Sequence, residues 1–243
     1  MAAAAPLPPL IVGDVHGDLE RLFAALRPYP ATAWRTVFLG DLVDGGPFGV
    51  GALRYARDRP NSTVLLGNHE VAMLWALRDR QRIGFWMGMG GQLHDLQELE
   101  RDPPLQEWMR WLPALLRLDE GTLLQHSDND NYAALLEDQA ADPVEEVNRG
   151  ARTLLAEGRE DLLWDAMSPV GVFRRQPRRL DAWLERMNAR RVVHGHSPHR
   201  GRQPEAYHDG KAICYDGGLS RYYSGRRLRG RGGAGASVAP LPD

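Results

Sequence analysis

The chain has 243 residues, of which 43% are hydrophobic and 26% are charged, and its formal net charge is −2. This composition excludes a collagen-like or wholly disordered protein, and the charge argues against a dedicated nucleic-acid binder. The length allows one domain or two small ones, at about 100–200 residues each. Cys214 is the only cysteine, so an internal disulfide framework is excluded, as is typical of proteins in a reducing compartment.

The apolar segments give no indication of a membrane partner. No apolar run reaches the ~18–20 residues that a membrane helix needs. The first ten residues, MAAAAPLPPL, have no basic stretch and are interrupted by Pro6, Pro8 and Pro9, which is unlike a secretory signal. We therefore expect a cytoplasmic protein that binds no membrane.

The first 75 residues alternate short apolar runs with helical patterns. Strands are predicted where the sequence reads LIV at 10–12, TVFL at 36–39 and TVLL at 63–66. The spacing of Leu19, Leu22 and Leu26 predicts a helix that Asp18 caps, and further helices are predicted at about 48–58 and from near Glu70. Strands that alternate with helices of this length indicate a layered α/β fold.

The middle of the chain has a different pattern. Residues 84–91, GFWMGMGG, are rich in glycine and are predicted to form a loop. The pattern from about 91 to 118 is helical, with a break at Pro103 and Pro104. We expect residues 84–118 to form a helical cap beside the sheet edge. Its aromatic side chains, including those of Phe85 and Trp86, could stack a base or simply form the core of the cap.

The last third returns to strands after a long helical stretch. Strands are predicted at 122–125, 191–193 and 212–215, and residues 131–190 are predicted to be mostly helical. We expect a single domain over residues 9–224. Residues 1–8 and 225–243 are rich in Ala, Pro, Gly and Arg and are predicted to be disordered tails.

Polar side chains follow the predicted strands at the points where the strands end. The segments are GDVHG at 13–17, GDLVDG at 40–45, GNHE at 67–70, His126, and GHSP at 195–198. Asp14, Asp41 and Asn68 follow one another at intervals of 27 residues, close to one strand–helix–strand period. Because parallel strands end at the same edge of a sheet, we expect these side chains to converge on one crevice.

Such a cluster of Asp and His side chains is typical of a site for divalent cations. Taken singly, each motif could equally be a turn or a buried histidine. Together and unpaired, the groups would be costly to desolvate, and cations that accept oxygen and nitrogen ligands remove that cost. The mixed donor set favours Mn²⁺, with Fe or Zn as alternatives.

These motifs resemble those of the calcineurin-like metallophosphoesterases, and within them the serine/threonine phosphatase branch that includes bacterial and Shewanella-like enzymes. The resemblance covers residues 10–220 and implies a β-sandwich of two mixed sheets flanked by helices, with a two-metal centre at one end. It implies the following metal ligands: Asp14 and His16 on the first ion, Asp41 on both, and Asn68, His126 and His196 on the second. It also implies that His69 is the general acid and that Asp44 orients it.

The sequence departs from this family pattern at the substrate phosphate. The protein phosphatases usually carry arginines where this chain has Gly45 and Leu66, and Pro198 stands where the wider superfamily often has a further histidine ligand. Arg174, Arg175 or another arginine of the helical region could supply the missing phosphate contacts. These departures weaken the step from a phosphatase to a protein phosphatase and point to nucleotides or small phosphoesters as the alternative.

The resulting hypothesis is a two-metal phosphatase that hydrolyses phosphomonoesters, with phosphoprotein as the first candidate substrate. A water between the ions would lose a proton near neutral pH and attack phosphorus, and His69 would protonate the leaving oxygen. A diadenosine tetraphosphatase or another nucleotide phosphoesterase is the alternative enzyme. A catalytically silent phosphate-binding module is the alternative outside enzymes, although such relatives usually lose ligands that this chain keeps.

Overall fold

A computed structural model describes residues 6–119, 121–136, 141–222 and 234–242. The elements of its first half, in chain order, are β1 (Pro9–Val12), α1 (Leu19–Leu26), β2 (Arg35–Phe38), α2 (Gly49–Asp58), β3 (Ser62–Val64), α3 (Asn68–Arg78), α4 (Ile83–Gly88), α5 (Leu93–Glu100), α6 (Pro103–Arg110) and β4 (Leu115–Arg117). The predicted strands and helices of the first 75 residues are confirmed. The predicted N-cap also forms, since the side chain of Asp18 accepts the Arg21 N–H.

The second half has these elements: β5 (Thr122–Gln125), α7 (Pro143–Glu157), α8 (Glu160–Met167), α9 (Val172–Arg175), α10 (Pro177–Arg186), β6 (Arg191–His194), β7 (Glu205–Tyr207), β8 (Ala212–Cys214), α11 (Ala234–Ser237) and β9 (Val238–Pro240). None of the helices in the described part of the chain has the length and apolar character needed to cross a bilayer.

The strands form two mixed sheets, in the orders β3-β2-β1-β9 and β4-β5-β6-β8-β7. The inner strands of each sheet are parallel, and the antiparallel strands β9, β4 and β7 lie at the edges. One buried cluster joins Ile11 and Val37 of the first sheet to Leu124, Val193 and Ile213 of the second. The two sheets therefore pack face to face as a sandwich, which confirms the expected fold.

The opposite faces of both sheets are covered by helices. Leu10, Phe38, Leu123 and Val192 belong to the larger core cluster, which includes buried residues from the helices. Neighbouring strand residues thus point into different apolar layers, because side chains alternate across a strand. This explains why the strands read as continuous apolar runs rather than as alternating ones.

Two predictions in the middle of the chain are wrong. Residues 84–91 do not form only a loop, because α4 runs through Gly84 and Gly88 and is held by the packing of its aromatic side chains, which outweighs the low helix propensity of glycine. The helical pattern also does not continue to residue 118. Pro113 follows α6, and β4 then pairs with β5 through a turn in which Asp119 accepts the N–H groups of Gly121 and Thr122.

The predicted C-terminal tail is also partly wrong. Residues 234–242 are ordered, since α11 leads into β9 and β9 pairs with β1. The strand β7, which the sequence pattern did not predict, pairs with β8. Residues 6–8 precede β1 without regular structure, while residues 1–5, 223–233 and 243 lie outside the described part of the chain. The single domain over residues 9–224 stays a prediction.

Candidate metal and acid site

The predicted site segments meet at the carboxyl ends of the parallel strands. The turn after β1 is bonded to the turn after β2, since the N–H groups of Val15 and His16 both donate to the Asp41 carbonyl at 3.0 Å. The Asp14 carboxylate in turn accepts the His196 N–H at 3.0 Å, although these residues belong to different sheets. The convergence predicted from the sequence is therefore present in the fold.

Four of the predicted site residues have left-handed backbone conformations. Their φ angles are 45° at His16, 52° at Asp41, 66° at Asp44 and 63° at His196. Residues other than glycine pay a steric cost in this region, so the conformation persists only where surrounding contacts enforce it. Strain concentrated in this way is typical of functional sites.

Glu70 enforces the turn that carries Asp41. Its carboxylate is fully buried and accepts the N–H groups of Asp41, Leu42, Val43 and Gly67 at 2.7–3.2 Å. The bond to Gly67 also caps the first turn of α3, the helix that begins with Asn68 and His69. Glu70 was quoted in the sequence motif without a role, and its position three residues after the N-cap was the signal that could have shown one.

The side chains around His126 form the most compact group. The Nε2 atom of His126 lies 2.8 Å from Asn68 Oδ1, 3.2 Å from His196 Nδ1 and 3.3 Å from Asp41 Oδ1. All four side chains come from predicted ligands of the second cation. Asp41, His126 and His196 place one ligand atom each within 4.8 Å of the others and are buried.

A second group shares Asp41 and contains His16 and His69. The Nε2 atom of His16 lies 3.8 Å from Asp14 Oδ2, and the Nε2 atom of His69 lies 3.8 Å from Asp41 Oδ2. The structure thus brings together Asp14, His16 and Asp41, the predicted ligands of the first cation. It also brings His69 within reach of the same position, which the sequence pattern did not anticipate.

Each of the imidazoles uses one ring nitrogen to bond an oxygen acceptor. Nδ1 of His16 donates to the Val43 carbonyl, Nδ1 of His126 to the Leu39 carbonyl, and Nε2 of His196 to the Ser168 carbonyl, at 2.9–3.2 Å. A carbonyl only accepts, so the opposite nitrogen carries the lone pair in the neutral ring. This is the arrangement by which proteins orient histidine ligands toward metals.

His69 has a different partner, the carboxylate of Asp44. The Nδ1 atom of His69 lies 2.7 Å from Asp44 Oδ2, and the side chain of Asp44 is only 1% exposed. Burial opposes the positive charge on His69, but the Asp41 and Asp44 carboxylates outweigh it and raise the pKa of His69 to about 9. The predicted pairing of Asp44 with His69 is therefore present in the structure.

The imidazoles of His16, His126 and His196 differ from one another in pKa. Burial, together with a neighbouring histidine, lowers the pKa of His16 to about 4 and that of His196 to about 3. Burial also opposes the charge on His126, but Asp41 raises its pKa. Near neutral pH, His16 and His196 are therefore neutral and can donate a lone pair, which metal binding requires.

The buried residue Asp216 lies beside the site and was not assigned a role from the sequence. Burial and the charge of Asp41 raise the pKa of Asp216 to about 7, although its carboxylate accepts the Gly218 N–H. Burial and the Asp216 charge likewise raise the pKa of Asp14. The neighbouring carboxylates of Asp14 and Asp216 therefore favour the binding of a positive charge beside them.

The two arginines suggested as replacements for the missing phosphate contacts are engaged elsewhere. Arg174 forms an ion pair with Glu205 at 3.0 Å and lies over the ring of Tyr207. Arg175 donates to the Val170 carbonyl at 2.6 Å. Neither contact involves the groups around Asp41.

Comparisons with known proteins show relatives of two kinds. A symmetrical bis(5'-nucleosyl)-tetraphosphatase from Salmonella paratyphi C is 33% identical over 120 residues, which cover 47% of this chain and 40% of that protein. The enzyme of the same name from Salmonella typhimurium is 34% identical over 116 residues, 45% of this chain and 38% of that protein. The chain thus matches less than half of the length of these curated relatives.

Solved structures share the fold at low sequence identity. A cold-active protein-tyrosine phosphatase from a psychrophilic Shewanella has a TM-score of 0.63 and 18% identity, over 88% of this chain and 72% of that one. A protein serine/threonine phosphatase from Saccharomyces cerevisiae has a TM-score of 0.55 and 15% identity, over 86% and 66% of the two chains. The family model of the calcineurin-like phosphoesterases matches residues 7–200, and the chain therefore belongs to that family.

Proposed function

We propose that this protein is a phosphoric-ester hydrolase that works with two divalent cations held on either side of Asp41. The observation that carries the proposal is the pair of buried side-chain groups that share the Asp41 carboxylate. Such a shared carboxylate is what a two-metal site for phosphoryl transfer requires, since the ions lie only about 3.5–4 Å apart.

The donor atoms around His126 fit a cation. Ligand atoms that lie about 2.1 Å from one ion and about 90° apart are about 3.0 Å from each other. The distances from His126 Nε2 to its neighbours are 2.8, 3.2 and 3.3 Å. Asn68, His126, His196 and Asp41 would hold this ion, and Asp14, His16 and Asp41 would hold the other.

The two ions would supply a nucleophile near neutral pH and neutralise charge on the phosphoryl oxygens. Side chains of the protein would carry out the remaining steps. His69 would hold its Nε2 proton toward the leaving oxygen and transfer it as the ester bond breaks, because a poor leaving group needs protonation. Asp44 would stabilise the imidazolium form that donates this proton and keep the ring oriented through Nδ1.

Manganese is the proposed metal, with iron or zinc as alternatives. The donor atoms are carboxylate, amide and imidazole groups, a mixture that suits these ions. The only cysteine, Cys214, is buried and donates its S–H to the Ser197 carbonyl. We therefore assign Cys214 a structural role and do not include it among the proposed metal ligands.

The relatives favour a nucleotide substrate over the phosphoprotein that the sequence motifs first suggested. The curated relatives at 33–34% identity are tetraphosphatases of dinucleosides, and the positions of the phosphate-binding arginines are Gly45 and Leu66 in this chain. The phosphatases of known structure support the fold alone, since they are 15–18% identical. We therefore propose a dinucleoside polyphosphate as the first candidate and a phosphoprotein as the second.

A panel of substrates with Mn²⁺ tests this proposal. We expect hydrolysis of p-nitrophenyl phosphate and faster turnover of diadenosine tetraphosphate, with ADP as the product. Faster turnover of phosphoserine or phosphotyrosine peptides would favour the second candidate. No hydrolysis of any of these compounds, in a protein that binds the metal, would instead support a catalytically silent phosphate-binding module.

A further inference from the structure

Trp86 lies in α4, outside every motif that carries the proposed chemistry, and yet it contacts the acid pair directly. Its indole is fully buried, and Nε1 donates to Asp44 Oδ1 at 2.8 Å. The other oxygen, Oδ2, lies 2.7 Å from His69 Nδ1. Each oxygen of the Asp44 carboxylate therefore has its own partner.

The turn after α4 holds the indole in place. A Cβ atom added at Gly91 would lie 2.3 Å from Cδ2 and Cε2 of Trp86, so only glycine allows the backbone to pack this closely on the ring. The adjacent Gly90 carbonyl accepts the Gly45 N–H at 2.9 Å. The same turn thus contacts the indole and the residue that follows Asp44.

The helix α4 is also fixed to the helix that carries His69. The ring of Phe85 lies between Trp75 of α3 and Trp164 of α8, with centroid distances of 5.9 and 5.2 Å. His69 stands in the first turn of α3. Both partners of the Asp44 carboxylate therefore belong to one packed unit of helices.

Asp44 needs such support because of its backbone. Its φ of 66° lies in the left-handed region, which is strained for a residue with a side chain. A buried carboxylate with a single partner could also rotate and turn its second oxygen away from the imidazole. The indole N–H donates to one oxygen, so its bond fixes the orientation of the carboxylate with the other oxygen facing His69.

We propose that Trp86 is a positioning residue for proton transfer by His69: its N–H holds the Asp44 carboxylate so that Oδ2 faces Nδ1 and His69 Nε2 is aimed at the reacting ester. The inference rests on the proposed function, in which His69 gives up the proton. Trp86 acts through Asp44 and does not contact the substrate. The helical region around α4 thus takes part in orienting the acid.

A pair of tryptophan variants tests this proposal. Trp86→Phe removes the N–H and keeps an aromatic ring, and Trp183→Phe is the matched control. Trp183 is also buried, at 2% exposure, and its Nε1 donates to Gln125 Oε1 at 2.8 Å, away from the His69–Asp44 pair. The substrates are phenyl phosphate and p-nitrophenyl phosphate, which differ in how much their leaving groups need a proton.

Trp86→Phe should lower kcat for phenyl phosphate by about 10-fold, the lower end of the effect of an outer-shell partner. The loss for p-nitrophenyl phosphate should be clearly smaller, and KM and metal content should not change. Trp183→Phe should change kcat for both substrates by the same factor. Equal factors for both substrates in Trp86→Phe would overturn the proposal.

Glycine variants give a second test that keeps the indole. Gly91→Ala should push the ring away from Asp44 and reproduce the selective loss of phenyl phosphate turnover. Gly88→Ala, at the end of α4, is the control, since a Cβ atom there meets no heavy atom within 4 Å. If Trp86→Phe does not fold, equal behaviour of Gly91→Ala and Gly88→Ala overturns the proposal.

His69→Asn, measured in parallel, separates this proposal from the proposed function. If His69→Asn is selective for phenyl phosphate and both Trp86→Phe and Gly91→Ala are not, the inference about Trp86 fails and the proposed acid stands. If His69→Asn itself shows no dependence on the leaving group, the acid role fails, and the inference about Trp86 fails with it.

Discussion

Two flanks of the site hold their imidazoles by different kinds of partner. The acid flank consists of His69, Asp44 and Trp86, and the ligand flank consists of His126, His196 and Asp128. On the acid flank a buried carboxylate bonds the imidazole, and on the ligand flank main-chain carbonyls do so.

His69 and His196 also differ in pKa. The Asp41 and Asp44 carboxylates outweigh burial and raise the pKa of His69 to about 9, whereas burial and the nearby His126 lower that of His196 to about 3. The nearby carboxylates thus keep a proton on His69, whereas burial beside His126 leaves the ring of His196 neutral. In the proposed function, this difference would let one fold use the same residue type both as a proton donor and as a metal ligand.

The ligand flank has its own outer support. Oδ1 of Asp128 accepts the Ser197 hydroxyl at 2.6 Å and the Gly171 N–H at 2.8 Å. These bonds join the turn after His126, the turn after His196 and the loop whose Ser168 carbonyl accepts from His196. Asp128 thus has a role on the ligand flank comparable with that of Trp86 on the acid flank.

Replacement of the acid should have the largest effect among the substitutions. His69→Asn should lower kcat for phenyl phosphate by about 10²–10⁴-fold, the usual contribution of a positioned general acid, and should affect p-nitrophenyl phosphate less. Metal content, measured by mass spectrometry of the purified variant, should stay the same. Loss of one metal ion would show that His69 is a ligand, as its place in the group with His16 and Asp41 allows.

Replacement of a proposed metal ligand should weaken metal binding more than it slows the chemical step. His196→Ala should weaken the binding of one metal ion by more than about 10–100-fold, which is the usual loss of affinity when a residue that only orients a ligand is replaced. Excess Mn²⁺ should partly restore the rate. His194→Ala is the matched control, because His194 is also buried and bonds Tyr207 Oη instead. An unchanged metal titration in His196→Ala would remove it from the ligand set.

Replacement of Asp128, which supports the ligand flank, should have a smaller effect on metal affinity. Asp128→Asn should weaken metal affinity by about 10–100-fold, because the loop that orients His196 loses a charged acceptor. Asp95→Asn is the control, since Asp95 is a buried carboxylate that accepts the N–H groups of Gly49 and Val50 elsewhere in the fold. Both variants should lose thermal stability, and equal metal titrations in the two would contradict a special role of Asp128.

The charge of Asp44 should affect the pH dependence of turnover. His69 can donate a proton only below its pKa, so turnover of phenyl phosphate should fall as the pH rises through that value. Asp44→Asn removes a charge that helps to raise the pKa of His69, and the alkaline limb of the kcat profile should therefore move to lower pH. A limb that stays in place, or moves upward, would contradict the account of the acid flank.

The sequence predicted that the site segments converge, because parallel strands bring their carboxyl ends together wherever the chain alternates strand and helix. Asp14, Asp41 and Asn68 could be assigned to one edge on that basis alone. The support of both flanks could not be predicted, since it depends on contacts between distant segments. Trp86 and Asp44 are 42 residues apart, and no local pattern in a glycine-rich segment indicates such a bond.

The elements that the sequence pattern did not predict also depend on contacts between distant segments. The strand β9 forms only because β1 offers an edge for Val238, and its composition alone is that of a tail. The helix α4 forms around buried aromatic rings despite its glycines. Local propensity therefore fails where tertiary packing decides the structure.

The most direct test of the account is the metal stoichiometry of the protein and its relation to activity. Protein freed of metal by exhaustive chelation should be inactive on p-nitrophenyl phosphate. In a calorimetric titration it should bind two Mn²⁺ ions per chain, and activity should appear as the second ion binds. Full activity after chelation, or saturation below two ions per chain with full activity, would contradict a two-metal site centred on Asp41.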